Sequence, residues 1–279
     1  MIKMHGTENT FYIVEDQLDD LQMKDLTIKL CKDGTDGVLF VCHSDHALTK
    51  MRIFNADGSE PEMCGNGLRC FSRFILEKYN QTSAEIETMK ATYQVQMIED
   101  FHGIKGISIK LYPVKVLSRE EESSFNTAYD FSYYTVSNPH LVAFTENHLQ
   151  ADELTRLGLY GNEHFKGGIN INMVRVIDQD KIYVQTYERG VGITKSCGTG
   201  MTSSSLHYAL NHNRLDQVIE IYNDGGMIEC KVNKKDDYEV IFTGNATYVS
   251  EHDEEGNLLK TFDEALAYKT FFKKTRDGI

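Results

Sequence analysis

The sequence lacks any apolar stretch near the roughly 18 residues that a bilayer-spanning helix needs; its longest clean run is about Gly37 to Cys42. The opening residues, Met1-Ile-Lys-Met-His-Gly-Thr-Glu8, mix charged and polar side chains, so no signal-peptide core is expected there and the chain reads as cytoplasmic. Proline is scarce, at 3 residues against 21 glycines, while hydrophobic residues make up 41% of the chain; that balance excludes disorder and collagen-like sequence. Positive charge is in deficit as well, with 29 Lys and Arg facing 42 Asp and Glu. The formal net charge of -13 repels nucleic acid and anionic membrane over most of the surface and leaves room only for a local basic site. Six cysteines in a chain of this kind do not make a disulfide framework, so each thiol has to be judged by its surroundings.

What is present is length enough for two cores, 279 residues in all, and two segments of the same layout. One runs from Lys50 through Asn55 to Cys64-Gly65-Asn66-Gly67; the other runs from Lys181 through Glu188 to Cys197-Gly198-Thr199-Gly200. Each begins with strand-like alternation, passes through a polar glycine-containing connection, reaches Cys-Gly-x-Gly and continues with helical periodicity. Asn55 precedes Cys64 by nine positions, as Glu188 precedes Cys197, and an internal duplication explains the match economically. Leu68, Phe71 and Ile75 fall on one helix face running to about Tyr79, and small residues mark the face after Cys197. Strands are expected at about 10–14, 37–43, 84–98, 106–112, 131–144, 171–178, 216–222 and 227–242, with short helices at about 20–31 and 151–158. Helices that interrupt strand runs twice over give an α+β fold in two halves. The boundary is expected in the polar linker from Leu117 to Asn126, giving halves 1–117 and 118–257, with a helical tail from 258 on packing back onto the first half.

Each cysteine is thereby placed at a helix N-terminus, where unpaired backbone NH groups and the positive dipole end lower a thiol's pKa and bind an anion. Two such thiols facing one another could invert a carbon centre, one removing its proton while the other delivers a proton to the opposite face. The NH groups of Gly65, Asn66, Gly198 and Thr199 would then hold the adjacent carboxylate, and the glycines let the backbone come close. Standing against this is the plainer reading that buried cysteines only pack.

The motifs Lys3-Met-His-Gly6, Asn55-Ala-Asp-Gly-Ser-Glu60, Met63-Cys-Gly-Asn-Gly-Leu-Arg-Cys-Phe71, Asn138-Pro-His140, Gly168-Ile-Asn-Ile-Asn172, Thr186-Tyr-Glu-Arg-Gly-Val-Gly192 and Ser196-Cys-Gly-Thr-Gly200 resemble, in this order, those of the diaminopimelate epimerases. The resemblance extends to about Ser250. It implies two pseudo-symmetric α+β domains, each a mostly antiparallel sheet wrapped around a central helix, with the active site in the cleft between them. It also implies no cofactor, neither pyridoxal phosphate nor metal nor nicotinamide, and a free amino acid as substrate; a homodimer is compatible with it. Cys64 and Cys197 look like the acid/base thiols, and Gly65, Asn66, Gly198 and Thr199 like the carboxylate cradle. Asn9, Asn55, Asn138, Asn170, Glu188 and Arg189 look like the groups that read the substrate's distal end. The chemistry suits them, since Arg189 can clasp a carboxylate through two parallel hydrogen bonds and Glu188 can pair an ammonium.

The sequence departs from the family pattern at Gly6-Thr-Glu-Asn-Thr-Phe11, where Glu8 and Thr10 replace a Gly and an Asp, and in a shortened Asp33-Gly-Thr-Asp-Gly37. Those departures bear on substrate identity and keep open a racemase of another amino acid, of the histidine or hydroxyproline kind. A silent amino-acid-binding relative or a thiol redox protein would be favoured by loss of either cysteine, and neither is lost. Gly190-Val-Gly-Ile-Thr-Lys-Ser196 is not a phosphate loop, because Thr194 stands where that loop needs Gly. Cys42 and His43 would point to opposite faces of a strand and make a poor metal pair. Cys31, Cys70 and Cys230 are read as packing residues.

Overall fold

A computed structural model describes residues 1–117, 125, 127–136 and 138–276, the side chains of 275 and 276 excepted. In chain order these residues form β1 (Ile2–Gly6), β2 (Asn9–Val14), α1 (Asp20–Leu30), β3 (Gly37–Cys42), β4 (Thr49–Asn55), α2 (Gly65–Lys78), β5 (Ser83–Glu87), β6 (Thr92–Phe101) and β7 (Ile104–Leu117). They continue with β8 (Ser132–Val136), β9 (Asn138–Phe144), α3 (Ala151–His164), β10 (Asn170–Asp178), β11 (Lys181–Glu188), β12 (Gly192–Thr194), α4 (Gly198–Asn211), β13 (Val218–Asn223) and β14 (Gly226–Lys234). The last elements are β15 (Tyr238–Asn245), β16 (Thr247–His252), β17 (Leu258–Thr261) and α5 (Glu264–Arg276). No described helix is long and apolar enough to cross a membrane.

The chain divides into two compact units, one built from Met1–Ile109 and everything from Thr243 on, the other from Lys110–Phe242. The crossings therefore fall inside β7 and β15, whereas the sequence suggests 117/118 and 257/258; most of the expected linker, residues 118–124 and 126, lies outside the described residues.

In the first unit β1 and β2 form a hairpin, β2 runs parallel to β3, β3 antiparallel to β4, β4 parallel to β5 and β5 antiparallel to β6. The two parallel steps are bridged by α1 and α2. The second unit repeats the succession: β8 and β9 form a hairpin, β9 is parallel to β10, β10 antiparallel to β11, β11 parallel to β13 and β13 antiparallel to β14. Here the bridges are α3 and α4. The likeness read from two cysteine motifs thus extends to the pairing of six strands in each half.

Within each unit the second crossover helix is the one that the sheet wraps. Leu68, Phe71 and Ile75 of α2 are wholly buried, each contributing about 1.5–3 kcal/mol of apolar burial. α4 reaches the same burial with small side chains: Thr202, Ser203, Ser204 and Ser205 are all at 0% exposure. Their hydroxyls lose water, and three recover a partner in the helix itself, Thr202 on the Gly198 carbonyl (2.9 Å), Ser203 on that of Thr199 (3.0 Å) and Ser205 on that of Thr202 (2.7 Å). α1 starts at a reciprocal capping box, in which the Gln22 amide donates to the Asp19 carboxylate and the Asp19 amide to the Gln22 side chain, both at 2.9 Å.

Several expected elements change in detail. The single strand expected at 84–98 is two, β5 and β6, because Thr88 and Ala91 close a turn through both backbone (2.8 Å) and side chain (2.9 Å). The run 227–242 breaks likewise at the Lys235–Asp237 turn, and 131–144 is β8 and β9. β1 is an additional strand, and α3 continues to His164, where a helix to 158 is expected. Cys31, Cys70 and Cys230 are buried, as their packing role requires.

Candidate active site

β4 ends at Asn55, and nine residues later Cys64 occupies the position just before α2. The first backbone NH groups of α2, from Gly65 and Asn66 on, have no acceptor within the helix. Cys64 is half-buried, and its thiol donates to the Asn9 side-chain oxygen at 3.7 Å. Asn9 begins β2 directly after a two-residue turn whose members, Thr7 and Glu8, both have left-handed φ, 48° and 60°. Such angles are costly for a β-branched residue, and a buried network holds Thr7 in place. Its NH donates to the Asn245 side chain (2.9 Å), its hydroxyl to Asn66 Oδ1 (3.2 Å), and Arg69 Nη2 donates to that hydroxyl (3.2 Å). Arg69, at 0% exposure, also donates to Asn66 Oδ1 (3.1 Å) and the Asn245 carbonyl (2.9 Å). The Asn66 side-chain oxygen is thus turned inward. Asn55 is exposed and bonds into its own turn, Nδ2 to Ser59 Oγ at 3.0 Å.

The second half is built alike. β11 ends at Glu188, and Cys197 precedes α4. Cys197 is buried, accepts from the Gly200 NH at 3.4 Å and lies 3.6 Å from the Thr199 hydroxyl. The Glu188 carboxylate, whose charge acts on this thiol, accepts from the Thr194 hydroxyl at 2.5 Å. The expected lowering of the thiol pKa does not hold at this cysteine. Burial comes first and the Glu188 charge second in pushing the Cys197 thiol well above its ordinary value, and the Thr199 and Gly200 hydrogen bonds oppose them without prevailing. Burial likewise raises the Glu188 carboxyl.

Behind this motif lies a polar layer. Asn172 accepts from the Thr186 hydroxyl (3.0 Å), and its amide donates to the Leu141 carbonyl (3.0 Å) and to His140 Nδ1 (3.1 Å). His140 therefore carries its proton on Nε2, which donates to the Asn138 side chain at 2.9 Å. Burial, aided by the Arg189 charge, keeps the ring neutral, pushing its pKa down to about 3. Asn170 accepts from the Arg189 NH (3.0 Å) and donates to the Pro139 carbonyl (2.9 Å). Arg189 itself is exposed, with Nη1 on the Gly167 carbonyl at 2.9 Å.

The structure thus gathers Asn9, Gly65 and Asn66 around Cys64, and Glu188, Gly198 and Thr199 around Cys197, with Asn138, Asn170 and Arg189 joined by the layer behind. Sequence reasoning passed over Thr7, Arg69 and Asn245 in the first unit, and Asn172, Thr186 and Thr194 in the second. For Asn172 a signal existed: it stands two positions after Asn170 in a strand and so shares its face.

A family model described as diaminopimelate epimerase matches residues 1–109 and 132–249. The chain is 40% identical to a diaminopimelate epimerase of Clostridium acetobutylicum, over 99% of this chain and 94% of that protein. It is 36% identical to one of Lactiplantibacillus plantarum, over 89% and 87%. Among solved structures, a Bacillus anthracis phenazine biosynthesis protein of the PhzF family superposes with a TM-score of 0.68 at 16% identity, covering 89% of this chain and 96% of that one; this likeness concerns the fold alone. Fold and half-sites define a duplicated α+β protein with one cysteine at a helix N-cap position in each half. The chain belongs to the diaminopimelate epimerase family.

Proposed function

We propose that the protein interconverts LL- and meso-diaminopimelate by moving a proton on and off one α-carbon between Cys64 and Cys197. The observation that carries this reading is 40% identity to a diaminopimelate epimerase over 99% of the chain, with a cysteine kept at the helix-capping position of each half.

A proton α to a carboxylate is a far weaker acid than a thiol, so the carbanionic charge needs stabilisation as it develops. The NH groups of Gly65, Asn66, Gly198 and Thr199 are assigned to the substrate carboxylate, where each well-aimed donor is worth about 2.7–4 kcal/mol in a dry site. Turnover needs one thiolate and one thiol, with the roles exchanging between directions. The high pKa of Cys197 suits it to stand as the protonated partner in the free enzyme. Its proton is then available to the carbon, and the Glu188 charge helps to keep it on the sulfur until transfer. Asn9, Asn55, Asn138, Asn170, Glu188 and Arg189 are assigned to the distal amino-acid group and to the supports behind it. A mixed protonation state gives a bell-shaped dependence of rate on pH. The same reading puts the enzyme in the cytoplasm, in the synthesis of lysine and cell-wall precursors, acting on a free small molecule. It includes a homodimer, which sedimentation of the reduced protein tests.

The deciding experiment is proton NMR in deuterium oxide, following loss of the α-proton signal from LL-diaminopimelate and from single-headed amino acids including histidine and hydroxyproline. Exchange confined to diaminopimelate without added cofactor is expected. Exchange with another amino acid instead would retain the two-thiol chemistry and overturn the substrate.

A further inference from the structure

The family model ends at residue 249, and α5 lies beyond it. α5 is nonetheless joined to the first half-site at two points. Near its start, Glu264 grips Arg73 of α2 through two hydrogen bonds of 2.6 and 2.7 Å. Arg73 is 2% exposed and also donates to the Ala246 carbonyl at 2.6 Å, so α2, which Cys64 immediately precedes, is tied to the tail through a buried charge. One turn further on, Tyr268, itself 2% exposed, sets its ring edge-on against His5 at 4.3 Å between centroids. Phe271 follows, buried 6.1 Å from Phe101, and anchors the helix at a third place.

His5 is the residue under the Thr7–Glu8 turn. Its Nδ1 accepts from the Glu8 NH at 3.3 Å, and its carbonyl accepts from the Asn245 amide at 3.2 Å. The turn cannot relax on its own, since both its residues are in left-handed backbone, and only the surrounding contacts keep it there. Its last bond leads directly to Asn9, whose side-chain oxygen receives the Cys64 thiol. Nothing in the two-thiol chemistry requires α5, yet Tyr268 and Glu264 close the two paths, through His5 and through α2, that lead to Asn9 and Cys64.

We infer that α5 is a positioning brace for the Cys64 half-site: Tyr268 on His5 and Glu264 on Arg73 fix the Thr7–Glu8 turn and the start of α2, and so hold Asn9 against the Cys64 thiol. Tyr268 and Glu264 touch neither substrate nor thiol, and act through residues that do. The inference uses the proposed function only for its turnover readout; its thiol readout stands without it.

The test uses the reduced full-length chain carrying Tyr268→Ala or Glu264→Gln, with far-UV circular dichroism to confirm folding. Alkylation of Cys64 and Cys197 by iodoacetamide is timed by peptide mass, and kcat and KM are measured for LL-diaminopimelate. Tyr268→Ala should speed alkylation of Cys64 about 5-fold, the worth of one hydrogen bond of about 1 kcal/mol, and leave Cys197 unchanged. Misplacement of the half-site should lower kcat on the order of 10- to 100-fold. Glu264→Gln, at an exposed end of the pair, should move Cys64 in the same direction and serves alone if Tyr268→Ala does not fold. Parent-like Cys64 alkylation in the folded variants would overturn the brace, and equal acceleration at both cysteines would overturn it in favour of general stability. A parent that alkylates as described but exchanges no diaminopimelate would refute the substrate and leave the brace standing.

Discussion

The last glycine of each Cys-Gly-x-Gly motif offers a paired test of how the helices are seated. A Cβ on Gly200 would lie 2.3 Å from Asn172 Oδ1, 3.1 Å from the Thr186 hydroxyl and 3.3 Å from the Cys197 Cβ. Asn172 cannot swing aside, because three hydrogen bonds of 3.0–3.1 Å hold it to Thr186, Leu141 and His140. Gly200→Ala must therefore break part of that layer or push the start of α4 outward. Overpacking of this kind costs about 1–3 kcal/mol, and a buried polar group left without its partner about 1–3 more. Alanine returns about 1 kcal/mol in helix propensity, so the net loss is about 1–5 kcal/mol, centred on ~3 kcal/mol. At Gly67 the nearest atoms are side-chain ends, Leu39 Cδ2 at 3.1 Å and Ile53 Cδ1 at 3.4 Å. They can give by a few tenths of an ångström, and the same gain of about 1 kcal/mol largely offsets the cost. Guanidinium unfolding should thus show a midpoint lowered by about 0.5–1 M for Gly200→Ala and hardly moved for Gly67→Ala. Because Gly200 also donates its NH to the Cys197 thiol, kcat should fall on the order of 10- to 100-fold in Gly200→Ala. Parent-like stability and turnover in Gly200→Ala, or equal damage from Gly67→Ala, would refute the reasoning.

Cys64→Ser and Cys197→Ser should each lower turnover by orders of magnitude with an unchanged far-UV spectrum, and near-parent kcat in either removes the two-thiol scheme. Glu188→Gln takes away the carboxylate that, after burial, does most to raise the Cys197 thiol; the pH midpoint of Cys197 alkylation should move down, and a fixed midpoint would show that burial alone sets it. Acid should unfold the protein from the inside: burial lowers His5 from 6.5 to about 4 and His140 from 6.5 to about 3. A depressed histidine contributes stability that is complete above the unfolded value and is lost as pH falls through the folded one. The contributions, about 3 kcal/mol for His5 and about 5 kcal/mol for His140, should disappear between pH 6.5 and pH 3; a urea midpoint unchanged between pH 7 and pH 4 would contradict this.

What could be read from the sequence is what is local or periodic. The nine-residue spacings from Asn55 and Glu188 to the cysteines survive as geometry, each marking the interval from the last residue of a strand to a helix cap. Contacts across long sequence separations could not be read. Thr7 joins Asn245 over 238 positions and Arg69 joins Asn245 over 176, and no local pattern in the sequence couples positions so far apart. The direction of the Cys197 shift was hidden for another reason: an N-terminal NH lowers a thiol's pKa, burial and a neighbouring carboxylate raise it, and only the folded environment tells which dominates. The strand breaks at Thr88–Ala91 and Lys235–Asp237 lie in stretches without proline or glycine; turn chemistry gives little warning at the first, whereas Asn233, Asp236 and Asp237 mark the second.

The duplication kept the position of the thiols and changed their neighbours, and this bears on how a nearly symmetric scaffold does asymmetric chemistry. At the strand end nine residues before the cysteine, one half has the neutral Asn55, bonded into its own turn, and the other has Glu188, whose charge helps to raise the thiol. Five residues after the cysteine, one half has Arg69 and the other has Thr202, both at 0% exposure. Behind Cys64, then, lies a buried guanidinium, and before Cys197 a carboxylate: charges of opposite sign, on surroundings of the same backbone design. Two identical thiols in identical pockets would share one proton without preference, and half of all free enzyme would have it on the wrong sulfur for a given stereoisomer. A carboxylate at one sulfur only removes that degeneracy in the direction its charge dictates, towards a protonated Cys197. Exchanging the charges should therefore be more damaging than deleting them. In the double variant Asn55→Glu with Glu188→Asn the carboxylate would stand at the first strand end. The ratio of kcat from the two stereoisomers, each measured at saturating concentration, should shift from that of Glu188→Asn alone, and a ratio that does not shift would show that these strand-end residues leave the proton's location untouched.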